Sequence, residues 1–285
     1  MTTGNIHHTI LCKGKIITFD SPHVMGILNI TPDSFYDGSK YKNLTDISDA
    51  VEKMLNEGAT WIDIGAVSTR PGSESADSET EKKRLEPVLD MISRNFPQAL
   101  LSVDTFRSEI ATMAVEKYGV CMINDISASG MDAQMPATIA RLKVPYVMMH
   151  MRGTPARMQE KQNTTYTDMI NEIIQYLAQK KAQMNAMGIA DVIADPGFGF
   201  SKTIEQNYII LKELQRFRIL DCPVMAGISR KSMIYKTLGI TPENALAGTL
   251  GAGMLALING ADILRVHDVK ETVEIVKIFK TYTMS

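Results

Sequence analysis

Polar and charged residues recur in this chain at the downstream edge of short apolar runs. Asn29 follows "VMGIL", Asp104 follows "ALLSV", Asn124 ends "VCMIN", His150 follows "PYVMM", Asp195 ends "DVIAD", and Arg265 and His267 lie in and just past "DILRV". Gly65 and Gly227 close "TWIDIG" and "PVMAG" in the equivalent places. The set divides by charge. Asp104, Asn124 and Asp195 offer acceptors and one amide, which a flat heterocycle with several N–H groups would satisfy, since a buried acid without donors is costly. Arg70, Lys231, Arg265 and His267 are cationic. Arginine grips phosphate at two points and lysine acts as a point charge. The plain alternative for a single acid or amide is a helix N-cap, and for Arg70 or Lys231 a solvated side chain. Arg265 resists it, because a guanidinium inside an apolar run needs a partner.

Several loops add backbone cues. "STRPGSES" (68–75) sets Pro71 and Gly72 in a turn beside Arg70. "DPGFGFSK" (195–202) alternates glycine with Phe198 and Phe200, allowing close backbone approach with a phenyl wall; the alternative puts Phe198 in the core. "GISRKS" (227–232) offers Ser229 and Lys231. In "NITPDSFYDG", Asn29 is expected to stay fixed while residues 30–41 form a mobile lid whose Phe35 covers an apolar ligand edge. His7, His8, His23, His150 and His267 have no zinc spacing, and no G-x-S-x-G elbow is present.

The elements that must position these groups are legible as an alternation. The eight apolar runs, 24–28, 60–65, 99–103, 120–124, 145–149, 191–195, 223–227 and 262–266, suit strands buried on both faces of a parallel sheet. Helical periodicity lies between them, as in Ile47, Val51, Met54 and Leu55 or Ile170, Ile173, Ile174 and Leu177. This predicts a single-domain (β/α)8 TIM barrel over 1–285, with the barrel from about residue 24. A β-hairpin at 9–19, centred on "KGK", would plug its bottom. Such barrels do chemistry at the C-terminal strand ends and hold phosphate after strands seven and eight, where Lys231, Arg265 and His267 fall. An open doubly wound sheet is the other architecture, but no G-x-G-x-x-G follows the first strand.

Composition narrows the class. The chain has 285 residues, 45% of them hydrophobic, enough for a sizeable core. A net charge of -2 without charged blocks argues against a nucleic-acid or membrane partner. The longest apolar stretch, 250–258, is too short to span a bilayer, and the N-terminus lacks a signal pattern. Cys12, Cys121 and Cys222 are scattered, so a reduced, cytoplasmic protein is expected, with Cys121 inert core.

"GILNITPDSFYDG", "STRPG", "SVDT", "INDI", "MHMRGTP", "DPGFGF", "GISRKS" and "RVHDV" occur in the order seen in the dihydropteroate synthase family, which the chain resembles from about Val24 onward. The resemblance implies a TIM-barrel transferase of folate biosynthesis. It would join (7,8-dihydropterin-6-yl)methyl diphosphate to 4-aminobenzoate, releasing 7,8-dihydropteroate and diphosphate. It implies pterin ligands at Asp104, Asn124, Asp195 and Lys231, with Met148 (or Met149) packed on the ring. Asn29, Arg70, Arg265 and His267 would hold diphosphate, and Asn29 would ligate Mg2+. Thr69, Pro71, Phe200, Ser229 and Phe35 would border aminobenzoate. Lys231, Arg265, His267 and Arg70 become the catalytic group. A homodimer is implied, with 247–260 as candidate interface helix. Tyr36 and Ala66-Val67 depart from the commonest family forms. Two other readings share the pterin contacts: a methyltransferase acting from methyltetrahydrofolate to a cobalamin protein, and a non-catalytic pterin binder. Neither uses the cation cluster.

Overall fold

The computed structural model describes residues 8–30, 43–67 and 76–285. Of the segment expected to form a lid (30–41), Ile30 is described and buried; the rest, with Phe35 and Tyr36, and the loop carrying Thr69, Arg70 and Pro71 lie outside the described residues.

Each apolar run forms a strand. The hairpin strands are β1 (Thr9–Cys12) and β2 (Lys15–Thr18), and the barrel strands are β3 (His23–Asn29), β4 (Trp61–Gly65), β5 (Leu101–Asp104), β6 (Met122–Asp125), β7 (Tyr146–Met149), β8 (Val192–Asp195), β9 (Met225–Ala226) and β10 (Ile263–Val266). All neighbouring barrel strands pair in parallel, in the order β8-β7-β6-β5-β4-β3-β10-β9. A bridge between Ala194 and Val224 joins β8 to β9 and closes the ring. β9 is short because Pro223 has no N–H to give; its carbonyl accepts from Ala194, and that of Val224 accepts from both Asp262 and Ile263. A helix follows every barrel strand, from Leu44–Asn56 after β3 to Val269–Met284 after β10.

Strand alternation splits the core in two. Outward residues such as Val24, Ile62, Val103, Tyr146, Met148 and Leu264 pack beneath the helices. Inward residues Met25, Trp61, Met122, Val147, Ile193, Met225 and Ile263 form an apolar floor together with Ile10 and Cys12 of the hairpin. The hairpin therefore plugs the bottom, as expected. Its turn has φ 50 at Lys13 and φ 74 at Gly14, the left-handed pair that a two-residue hairpin turn requires. Cys121 lies in the same floor, buried beside Cys12.

Candidate active site

Above the floor the inward positions turn polar. Register places Asn29, Gly65, Asp104 and Asn124 opposite one another across β3 to β6. Further round, Met149 pairs with Asp195. None of Asp104, Asn124 and Asp195 is an N-cap: the side-chain caps of the nearby helices are Asn43, Asp77, Asp168 and Thr203. The strand-end acids and amide are thus available to the barrel mouth.

Arg265 is the hub. Its Nε donates to Asp63 Oδ2 at 2.6 Å and its Nη2 to Asp104 Oδ2 at 2.8 Å. Asn124 Nδ2 donates to the same Asp63 oxygen at 2.9 Å, which leaves the Asn124 carbonyl oxygen for another donor. Asp63 is fully buried, and its Oδ1 is a buried acceptor with no hydrogen-bond partner. Sequence reasoning missed this residue. The signal was an acid inside "TWIDIG" sharing the inward parity of Trp61 and Gly65. Burial pushes the Asp104 carboxyl up to about 7, against the opposing pull of Arg265.

A second cluster faces the first. Asp195 is buried, its Oδ1 accepts from the Gly197 N–H at 2.7 Å, and burial raises its pKa against the charge of Lys231. Lys231 Nζ donates to the Phe198 carbonyl at 2.5 Å and lies 4.8 Å from the centre of the Phe200 ring. Burial lowers its ammonium to about 8, with Asp195 opposing. Gly227 stands among these groups: a Cβ there would lie 3.8 Å from Lys231 Nζ, 3.9 Å from Asp195 Oδ2 and 4.0 Å from Arg265 Cβ. The missing side chain leaves a slot beside one acid and two cationic residues. Across the row, a Cβ on Gly65 would lie 3.5 Å from Asn29 Oδ1 and 3.9 Å from Asp104 Oδ2.

Ser229 and His267 are coupled. Ser229 Oγ lies 3.0 Å from His267 Nδ1 and accepts from the His267 N–H at 3.2 Å. Arg230 between Ser229 and Lys231 turns away at φ 54 and pairs with Asp268, so its two neighbours face the mouth.

One expectation is amended. Met148 lies on the outward face of β7, in the layer under the helices. Strand alternation puts Met149 at the mouth instead, with Ile126, Met151, Met158, Phe106 and Phe200. Phe198 is wholly buried in the outer core, while the half-buried Phe200 supplies the wall. Of the small residues of helix Leu246–Ile258, Ala252, Gly253 and Ala256 pack inward, Gly253 lying close to Ile275 and Leu264, while Ala247 and Gly251 are exposed together with the large side chains of Leu255 and Ile258.

A parallel barrel with a polar mouth at its C-terminal strand ends defines a (β/α)8 barrel enzyme. The chain belongs to the pterin binding enzyme family, whose model matches residues 25–267. The dihydropteroate synthase of Escherichia coli (strain K12) is 40% identical to it over 271 residues, covering 94% of each chain. Among solved structures, the Yersinia pestis dihydropteroate synthase with a sulfonamide drug complex superposes at TM-score 0.90 and 35% identity, covering 97% of this chain and 99% of that one. The Xanthomonas albilineans dihydropteroate synthase with 4-aminobenzoic acid superposes at TM-score 0.88 and 36% identity, covering 97% and 98%.

Proposed function

We infer that this chain is a dihydropteroate synthase, condensing (7,8-dihydropterin-6-yl)methyl diphosphate with 4-aminobenzoate in folate biosynthesis. The observation that carries this reading is the mouth itself: a hydrogen-bonding set of Asp104, Asn124 and Asp195 meets the basic side chains of Lys231, Arg265 and His267, with the Gly227 slot beside Asp195, Lys231 and Arg265.

In the reaction, the C–O bond between the pterin methylene and diphosphate breaks with its electron pair leaving on diphosphate. The aniline nitrogen then bonds to the methylene carbon and gives a proton to solvent. Asp195 and the Asn124 carbonyl oxygen accept N–H groups of the ring. Asn124 is oriented for this by its bond to Asp63. Met149 takes the apolar face of the ring. Lys231 stands between ring and aminobenzoate, whose phenyl packs on Phe200. Arg265 and His267, with Arg70, hold the leaving group and stabilise its growing charge. No base is needed, because a methylene conjugated with the dihydropterin forms a stabilised cation.

Mg2+ fits the donors. Among the described residues no cluster of three His, Cys, Asp or Glu could hold a metal alone. The exposed Asn29 Oδ1 is a hard oxygen ligand suited to an ion that otherwise keeps water and phosphate oxygens. When bound there, the ion would neutralise diphosphate charge.

A homodimer is proposed through helices Leu246–Ile258 and Val269–Met284, which pack together and leave Leu255, Ile258, Ile278 and Tyr282 exposed. No helix among the described residues is long and apolar enough to cross a membrane. A reduced, cytoplasmic setting fits the three buried free thiols.

Binding order tests the site. Titrated 4-aminobenzoate should bind more tightly to protein preloaded with a pterin, diphosphate and Mg2+ than to the free protein. Equal affinity in the two states would contradict a pocket completed by the first substrate.

A further inference from the structure

Lys202 closes the "DPGFGFSK" loop, is only 3% exposed, and has no part in the chemistry above. Its Nζ lies 2.8 Å from the Phe200 carbonyl oxygen, 3.0 Å from that of Gly197, 3.1 Å from His150 Nδ1 and 3.4 Å from the His150 carbonyl oxygen. Among the described residues no carboxylate forms an ion pair with it. A neutral amine would need the His150 proton on Nδ1 to meet its lone pair, and would leave one of the carbonyl oxygens without a donor. An ammonium carries three N–H groups, and the three nearest acceptors take all of them. Burial, then the nearby charges of Lys231 and Arg152, push the amine's pKa well down, and the charge of Asp195 opposes them; the case for the ammonium is the geometry of the converging acceptors.

The loop is folded around this charge. Gly197 has φ 76, and a Cβ there would stand 2.1 Å from the His150 carbonyl oxygen, so only glycine lets the turn close. From the same turn, Phe198 offers its carbonyl to Lys231, and the Gly197 N–H holds Asp195. The carbonyls of Gly197 and Phe200 thus face the inner lysine, and the carbonyl of Phe198 faces the outer one. One stretch of backbone is held between two lysines.

We propose that Lys202 is a positioning residue: a buried cation, solvated by backbone carbonyls, that fixes the 195–202 loop and thereby sets Lys231 and Asp195 at the mouth. The inference rests on reading that mouth as a pterin site. It also fixes the role of His150. With Lys202 as an ammonium, His150 Nδ1 is the acceptor of that contact and the proton of the neutral ring sits on Nε2. Burial first, then the charges of Lys202 and Arg152, lower its pKa to about 2. The ring packs edge-on against Tyr176 at 5.1 Å. His150 is therefore a fixed acceptor in the loop's foundation, not a base for the reaction.

The test is calorimetric titration of Lys202→Met, which keeps the stem and removes the donors. Affinity for a pterin analogue should fall at least about tenfold, while inorganic diphosphate should bind within about twofold of wild type. A substitution that merely destabilised the fold would lower Tm and leave both affinities of the folded protein unchanged. Unchanged pterin affinity in folded Lys202→Met overturns the proposal, and so does an equal loss of both ligands. A wild-type protein that binds no pterin overturns the reading of the mouth, and this inference with it. Should Lys202→Met fail to fold, the wild-type protein carries the test. With 15N-labelled lysine, one slowly exchanging side-chain nitrogen should bear three protons at neutral pH and vanish in Lys202→Arg. A nitrogen bearing two protons would overturn the proposal.

Discussion

Asp63 sets the geometry of two other side chains through one oxygen, which binds both Arg265 and Asn124. Removing one partner of a buried charged pair leaves the other exposed to a low dielectric, so Asp63→Ala should cost about 3 kcal/mol of stability. Urea unfolding checks this, and a loss below about 1 kcal/mol would reduce the pair to a minor contact. Arg265→Lys keeps the charge but cannot span Asp63 and Asp104 together. Steady-state kinetics should show kcat/KM down at least about tenfold, equivalent to ~1.4 kcal/mol, and near-normal values would contradict a planar bridging role. The same groups set a pH window. As pH falls through about 7, Asp104 gains a proton and stops accepting from Arg265 as a carboxylate. As pH rises through about 8, Lys231 loses its charge. Affinity for a pterin analogue should therefore be greatest between those two values and fall on either side. Titrations across the range check it, and a flat profile would contradict the assignment of both groups.

At the scale of elements, the strands were legible because burial on both faces writes them as short apolar runs. Which of two adjacent apolar residues faces the mouth was not legible. Met148 and Met149 are both buried, and strand register separates them, pairing Met148 with Ala194 and Met149 with Asp195. Asp63 was readable from strand parity, whereas its unpartnered oxygen was not. The hairpin turn was legible from "KGK", since glycine marks a left-handed position. Because Ile10 is floor and not mouth, Ile10→Ala should destabilise the barrel by about 2–4 kcal/mol while leaving kcat of the folded enzyme unchanged. Thermal melts paired with kinetics separate the two effects, and a change in kcat at full folding would mean that the floor reaches the chemistry. Gly227→Ala should do the opposite. The new methyl would make only ordinary contacts, so Tm should hold, yet it would fill the slot among Lys231, Asp195 and Arg265. Pterin affinity should fall at least about tenfold. Unchanged affinity would place the ligand elsewhere.

For the whole molecule, the strand–helix alternation and the siting of polar residues at strand ends carried the fold and most of the mouth into the sequence. What they could not carry was connectivity between distant residues: Arg265 meets Asp63 and Asp104 only because the ring closes β10 onto β3 and brings β4 and β5 alongside. The loops with Phe35 and Arg70 lie outside the described residues, so their part in the site rests on motif alone. The most direct measurement joins all of this. Purified protein is mixed with (7,8-dihydropterin-6-yl)methyl diphosphate, 4-aminobenzoate and Mg2+, and the products are followed by mass spectrometry with diphosphate release in parallel. The account predicts 7,8-dihydropteroate and diphosphate in equal amounts, only when both substrates are present. Binding of the pterin substrate without formation of dihydropteroate would contradict it and leave a pterin-binding barrel that does not join the two.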